Sequence, residues 1–203
     1  MTPPSLNEVT RVVTGAALGL QWPVGIARDV GAAAAWLCGA GVDGVACAMA
    51  GLTGARHRPD LGRTGDDGWH MSGPTVLVLP SALDVALGDD VAVTVAAPGH
   101  ALLAYGLCGW AAQQTGRLLD LKGAVTAHIH GGAISGPPGL EPGADLILRA
   151  GPQATVGSVA QISRAFPDPA AWAAARRAAA QMLVPTSATS RARGAGPVGI
   201  DAD

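Results

Sequence analysis

Val91-Ala-Val-Thr-Val-Ala96 is a short apolar run rich in valine, and it is followed at Pro98 by a longer apolar run that ends near Gly116. The first run is typical of a buried strand. In the second run the leucines recur at helical spacing, and proline is favoured in the first turn of a helix. This segment therefore predicts a strand that leads directly into a helix.

The preceding segment is predicted to repeat this order of a strand and then a helix. Thr75-Val-Leu-Val-Leu79 has the uninterrupted apolar pattern of a buried strand, and Pro80 begins a helix that ends at Gly88. Residues 118–121 and 124–134 are interpreted as adjoining strands. This order favours an α/β fold with a mixed β-sheet and covering helices, and an α+β fold is the alternative.

Residues 5–52 are predicted to form an N-terminal layer of three helices. Ser5-Leu-Asn-Glu8 is a capping box at the start of the first helix, and Pro23 begins the second. Asp43 can cap the third helix. Only 14% of the residues are charged, and alanine and glycine are abundant. We therefore expect these helices to pack closely through small residues.

The 203 residues fit a single domain. The polar, glycine-rich segment 53–74 is interpreted as a loop. Residues 144–149 and 154–159 are predicted to form a closing hairpin, and Asp168 to begin the last helix. The predicted parts of the domain are the helical layer at 5–52, a mixed α/β core at 75–183 and an extended C-terminal tail at 184–203.

Composition argues against several classes of partner. The net charge is −2, the arginines are scattered, and one Tyr and one Phe give no stacking platform, so nucleic-acid binding is not expected. The N-terminus lacks the charge and apolar core of a signal peptide. Proline divides the apolar segment 91–116, so no membrane span is predicted.

Cys38, Cys47 and Cys108 are interpreted as reduced core residues of a cytoplasmic protein. Helices faced with small residues suggest a homodimer.

The main candidate for chemistry is the end of the strand 124–134. Alternation places His128 and His130 on one face, and Gly131-Gly132 permits a turn or a close approach to a ligand. Two imidazoles can act as acid and base, and we interpret this pair as catalytic. A metal site with His100 as third ligand is an alternative. The remaining alternative is a pair of polar residues on an exposed strand.

The tail is the second candidate. Ser187, Ser190, Arg191 and Arg193 offer hydroxyl and guanidinium donors that suit a carboxylate or phosphate. We predict that the tail lies over the strand end bearing the two histidines; a frayed terminus is the alternative.

The predicted function is an enzyme or enzyme subunit acting on a small anionic metabolite. The alternative is a non-catalytic small-molecule-binding or accessory protein of a metabolic complex. The sequence identifies neither the substrate nor a cofactor.

Two sequence patterns match familiar motifs but lack the neighbouring features that those motifs require. Gly39-Ala-Gly41-Val-Asp-Gly44 has the spacing of a dinucleotide-binding loop, but it follows a predicted helix and not a strand. His130-Gly131-Gly132 is similar to the oxyanion loop of esterases, but the chain contains no Gly-x-Ser-x-Gly.

Motifs at both ends of the chain resemble those of an uncharacterised bacterial family, a domain of unknown function. They are Ser5-Leu-Asn-Glu-Val9, Trp22-Pro23, Ala35-Trp-Leu-Cys38, Gly41-Val-Asp-Gly44, Val184-Pro185, Ser190-Arg191, Gly194-Ala-Gly196 and Asp201-Ala-Asp203. The resemblance implies that the tail is part of the domain, and it implies no activity.

Residues 6–52 are also similar to the N-terminal helices of the non-Rossmann malate/lactate dehydrogenase family. The histidine that follows in that family is absent, and Cys47 and Met49 stand in its region. Nicotinamide chemistry is therefore not transferred to this chain.

Overall fold

The computed structural model describes residues 2–54, 59–64, 68–130, 133–134, 138–153 and 162–182. Within them the chain forms α-helices and a mixed β-sheet, as predicted for an α/β fold with an N-terminal helical layer. The helices are α1 (Leu6–Gly19), α2 (Val24–Gly39), α3 (Gly44–Thr53), α4 (Thr75–Asp89), α5 (Ala101–Thr115) and α6 (Pro169–Ala180). The strands are β1 (Asp60–Thr64), β2 (Gly68–Ser72), β3 (Val93–Val95), β4 (Arg117–Gly123), β5 (Val125–His130), β6 (Ala133–Ile134), β7 (Gly139–Leu140) and β8 (Leu146–Gln153).

The sheet has the strand order β1-β2-β3-β8-β4-β5-β6, and β7 pairs with the start of β5. Strands β2 and β3 are parallel, and α4 connects them. The late strand β8 lies between β3 and β4 and is antiparallel to both. The carboxyl ends of β2 and β3 therefore meet at one edge, where α4 and α5 begin.

Helices cover one face of the sheet. α4 contacts β3 and β8, and α5 contacts β4 and β5. α2 packs on α5, and α1, α3 and α6 complete an outer helical layer. Burial alternates along β5 and β8: the side chains that face α4 and α5 are buried, whereas Thr126, His128 and Arg149 are exposed. We call this second, solvent-facing side of the sheet the open face.

Three predicted helix starts are confirmed at atomic detail. The Ser5 hydroxyl accepts a hydrogen bond from the backbone N–H of Glu8 at 3.2 Å. Asp43 Oδ1 accepts one from the N–H of Ala46 at 3.0 Å. Asp168 caps α6 in the same way, through two bonds of 2.9 Å. These residues satisfy N–H groups that a helix leaves unpaired at its start.

Close packing through small residues is also confirmed. The backbone of Gly44 lies against the carbonyl of Ala34, and Gly109 lies against the indole of Trp36. A β-carbon at either glycine would overlap these neighbours. The helical layer therefore depends on the absence of side chains at specific positions.

The predicted strand Thr75–Leu79 is wrong, because these residues form the first turns of α4. α4 is packed against the sheet and α5, so an uninterrupted apolar run serves a buried helix as well as a buried strand. Pro80 lies inside α4 and does not start it.

The predicted loop at 53–74 is also wrong in part, since β1 and β2 pair there from Asp60↔Ser72 to Thr64↔Gly68. β1 is at the edge of the sheet, where polar and glycine residues are tolerated. β8 runs as one strand through the predicted hairpin turn to Gln153, because its pairing with β4 continues to that residue. Residues 154–159 lie outside the described residues. No helix within the described ranges has the length and apolar character needed to cross a membrane.

Candidate functional site

The two histidines of β5 share the open face. His128 and His130 are exposed, whereas Val125 and Ile129 on the opposite side of the strand are buried. The alternation inferred from the sequence is therefore present. Both imidazoles are accessible to a ligand that approaches this side of the sheet.

His128 is held by a carboxylate on the neighbouring strand. Asp120 of β4 is directly opposite His128, and His128 Nδ1 lies 2.6 Å from Asp120 Oδ1. This oxygen is buried, and no described residue donates an aligned hydrogen bond to it, so the approach of His128 is a close charge contact. A proton on Nδ1 facing the carboxylate leaves Nε2 free to accept a proton. The arrangement suits an acid–base group.

Positive charge surrounds this pair. Arg149 of β8 is directly opposite Asp120 on the side away from His128, and its side chain is exposed. Lys122 lies two residues along β4, with Nζ 4.0 Å from Asp120 Oδ2. Asp120 thus lies beside two cations and two imidazoles in this part of the open face, a distribution that attracts anions.

His100 lies in another part of the molecule. It follows β3, whose last residue Val95 is level with Gly123, whereas His130 is paired with Leu118 at the other end of β4. The five residues between these levels span about 17 Å of strand. Across the described part of the chain, no three His, Cys, Asp or Glu residues are grouped as a metal site. The structure therefore does not bring His100 together with the pair on β5.

His100 instead borders a cavity of about 510 Å³ at the carboxyl edge of β3. Cys47 of α3 and the loop containing Gly143 form other parts of its wall. A smaller cavity of about 300 Å³ is also bordered by His100, together with Thr75. The backbone N–H of His100 donates to Thr75 Oγ1 at 3.3 Å. This bond joins the starts of α4 and α5.

The chemistry of this cavity favours binding over nucleophilic catalysis. Burial, and secondarily the charge of Asp43, raise the pKa of the Cys47 thiol, which keeps it protonated and weakly nucleophilic. Most of the wall is backbone and small apolar side chains. His100 does not cap α5 with its side chain, so N–H groups at the start of α5, which borders the cavity, remain available. Such a cavity can hold an apolar molecule with a polar end.

Sequence reasoning did not find this cavity or the partner of His128. The cavity is formed by segments that are distant in the chain, and only Pro98-Gly99-His100, between a strand and a helix, gave a local signal. Asp120 could have been found by counting back from the turn at Gly123-Ala124. The predicted ligand-binding residues Gly131, Gly132, Ser187, Ser190, Arg191 and Arg193 lie outside the described residues.

Comparison with known proteins finds a partial match to a family without an assigned activity. Residues 4–64 match a family described as protein of unknown function, DUF3726, in agreement with the resemblance to an uncharacterised family. No curated protein shows significant similarity to the chain. Among solved structures, a malate dehydrogenase from Entamoeba histolytica is similar, with 15% identity and a TM-score of 0.43. The similarity covers 62% of this chain and 39% of the dehydrogenase chain, and at this level it supports no functional argument.

Proposed function

We propose that the protein is an enzyme, or an enzyme subunit, that acts on a small anionic metabolite at the open face of the sheet. The observation that carries this proposal is the 2.6 Å contact between His128 Nδ1 and Asp120 Oδ1. A carboxylate that orients an imidazole and stabilises its protonated form is a common requirement of acid–base catalysis. His128 is the proposed catalytic residue, acting through Nε2.

The neighbouring residues have complementary roles in this proposal. His130 lies on the same face, one strand repeat from His128, and can bind or protonate the substrate. Arg149 and Lys122 supply the positive charge that attracts an anion. A charge-assisted hydrogen bond contributes about 1.5–3 kcal/mol to binding.

The open face is exposed, so a substrate there needs cover from another part of the protein. We propose that the C-terminal tail supplies it, with Ser187, Ser190, Arg191 and Arg193 binding the anion, and that the backbone at Gly131-Gly132 approaches the substrate. Truncation after Leu183 is then expected to leave a folded protein whose ligand affinity is lower by about one to two decades, the equivalent of one such contact. Unchanged affinity in the truncated protein would remove the tail from the site.

A second candidate function is favoured by the cavity beside His100. Its volume of about 510 Å³ lies within the usual range for small-molecule sites. Its position outside the carboxyl end of β3, a strand parallel to β2, is a common ligand position in α/β proteins. In this case the protein binds a small molecule without transforming it, as an accessory protein would.

One experiment separates the two candidates. A thermal-shift screen of organic acids, amino acids and phosphates identifies ligands, and proton NMR of each mixture detects their conversion. If His128 is catalytic, His128→Gln slows conversion by about 10²–10⁴-fold while the thermal shift persists. His70→Gln is the matched control, because His70 shares the open face on β2, about 19 Å away at the usual strand spacing.

A different set of results would favour the cavity beside His100. If binding survives in His128→Ala combined with His130→Ala, is lost in His100→Ala, and no ligand is converted, the catalytic assignment is wrong and the cavity is the site.

Two further proposals concern the state of the protein. We propose a homodimer, supported by exposed apolar side chains such as Phe166, which is 74% exposed. Light scattering that gives the monomer mass at micromolar concentration would contradict it. A cytoplasmic location is proposed because Cys38, Cys47 and Cys108 are free thiols, which suits a reducing compartment.

A further inference from the structure

The imidazole of His100 is accessible and has no partner in the described part of the chain. The residue is half-buried, and its backbone forms hydrogen bonds, but neither ring nitrogen has a partner within the described ranges. The fully buried side-chain atoms without a partner in these ranges are Trp36 Nε1 and Asp120 Oδ1. The ring nitrogens of His100 are not among them, so they retain surface that a ligand can reach.

This imidazole faces the carboxyl end of α3. A β-carbon at Gly54 would lie 3.6 Å from His100 Nε2 and 3.7 Å from the carbonyl oxygen of Gly51. No described residue donates a hydrogen bond to this carbonyl. Because residue 54 has no side chain, the point that both atoms approach belongs to the cavity of about 300 Å³. One small polar group in this cavity can therefore contact both His100 and Gly51.

The cavity at Gly54 adjoins the larger one of about 510 Å³, since Ala97, Gly99 and His100 border both. Alanine and leucine side chains of α3 and α5 form much of the larger wall. The start of α5, whose first N–H groups have no side-chain cap, also borders it. The two cavities together suit an elongated ligand with its polar end beside Gly54 and an apolar body along α5.

The walls favour a ligand without charge. Among the described residues that border either cavity, none is Asp, Glu, Lys or Arg. Burial raises the pKa of the Cys47 thiol, so this side chain is also uncharged. The start of α5 and the end of α3 carry partial charges of opposite sign. A charged ligand would leave water without gaining a charged partner, which is costly.

We propose that the two cavities bind an aliphatic primary amide. The inference rests on the second candidate function, the binding of a small molecule beside His100. A primary amide is uncharged and offers both an acceptor and two donors. Its NH₂ group donates to the carbonyl of Gly51, and its carbonyl accepts from the His100 imidazole. The alkyl chain extends into the larger cavity.

Three probes of equal length test the charge of the ligand: hexanamide, hexanoate and hexylamine, which is protonated at neutral pH. Binding is followed by the imidazole C–H signals of the protein in proton NMR, and the signal absent from His100→Gln identifies His100. We expect hexanamide to shift the His100 signal in a saturable way. The two charged probes should bind about tenfold more weakly or less, since burying an unpaired charge costs more than a neutral hydrogen bond contributes.

Gly54→Ala tests the position of the polar end. The backbone of Gly54 has φ −66°, which alanine adopts, and the nearest atom to the added carbon is at 3.6 Å, an ordinary contact. The variant should therefore fold and melt like the wild type. The methyl group takes the place of the amide, and we expect the Kd of hexanamide to rise about three- to tenfold, as the loss of one neutral hydrogen bond requires. Gly25→Ala, which is exposed on α2 and borders neither cavity, is the matched control and should bind like the wild type.

Three results would overturn the proposal. If hexanoate or hexylamine binds as tightly as hexanamide, the ligand class is wrong while the cavity remains a binding site. If Gly54→Ala binds hexanamide with unchanged affinity, the polar end does not lie beside Gly51. If no probe moves the His100 signal at millimolar concentration, the second candidate function fails together with this inference.

Discussion

The substitution Gly44→Ala tests the closest contact in the helical layer. Gly44 begins α3, directly after its cap. A β-carbon there would lie 2.0 Å from the carbonyl oxygen of Ala34 and 2.9 Å from the β-carbon of Leu37, both on α2. Carbon and oxygen atoms that are not bonded to each other approach to about 3.3 Å at closest. The two helices would therefore have to separate by more than 1 Å, judged from the 2.0 Å approach.

The cost of this separation can be estimated from overpacked cores. Such substitutions destabilise by about 1–3 kcal/mol, and the obstacle here is a backbone carbonyl that cannot rotate away, so we expect a loss of about 3 kcal/mol. For a domain of this size, that loss lowers the melting temperature by roughly 6–12 °C. Thermal unfolding followed by circular dichroism measures it directly.

Gly25→Ala is the matched control on the same pair of helices. Gly25 lies in α2, is exposed, and has nothing within 4 Å of the added carbon. Because alanine is the better helix former by about 0.5–1 kcal/mol, this variant should melt at the wild-type temperature or slightly above it. Equal melting temperatures for the two variants would show that α2 and α3 do not approach each other as described.

Further predictions concern a buried acid, the thiols and a helix cap. Burial and the charge of Asp84 raise the pKa of Asp29. The folded state therefore retains a proton that the unfolded chain has lost, and stability falls as the pH rises through this range. Asp29→Asn should raise the melting temperature at neutral pH, and the gain should disappear below the ordinary pKa of 3.8; a gain that is independent of pH would contradict this. Burial also raises the pKa of Cys108, so an aromatic disulfide reagent should modify the half-buried Cys47 in the native protein and Cys108 only after unfolding. Asp43→Ala removes the α3 cap and a 2.8 Å bond to the backbone at the start of α6, and urea denaturation should show a loss of about 1–2 kcal/mol.

Local signals in the sequence located the helix starts, but they did not show whether each apolar run forms a helix or a strand. Ser5, Asp43 and Asp168 were predicted as caps because a cap depends on residues within one turn of the chain. Thr75–Leu79 was misread because a buried helix and a buried strand can carry the same apolar run, and only the contacts with the sheet and α5 decide between them.

The candidate site shows the same limit. The alternation of His128 and His130 is a local property, and the sequence was sufficient to place both on one face. The approach of Asp120 and Arg149 depends on how β4 pairs with β5 and β8, and a shift of one residue in either pairing would move them to the other face. The unpartnered indole of Trp36 gave no signal at all, because burial and missing partners are properties of the folded chain.

The position of β8 has a consequence for synthesis on the ribosome. The chain makes β3 and β4 first, yet they become neighbours of a common strand only when Leu146–Gln153 has emerged and entered between them. Until then the nascent chain carries two separate half-sheets, each with an unpaired edge that another nascent chain could join. The helices of the N-terminal layer can assemble earlier, but α1 lacks its contact with α6 until the same late stage. A polypeptide arrested before residue 146 would therefore be a candidate for chaperone binding. In the completed chain, β8 pairs with the exposed edges of both β3 and β4.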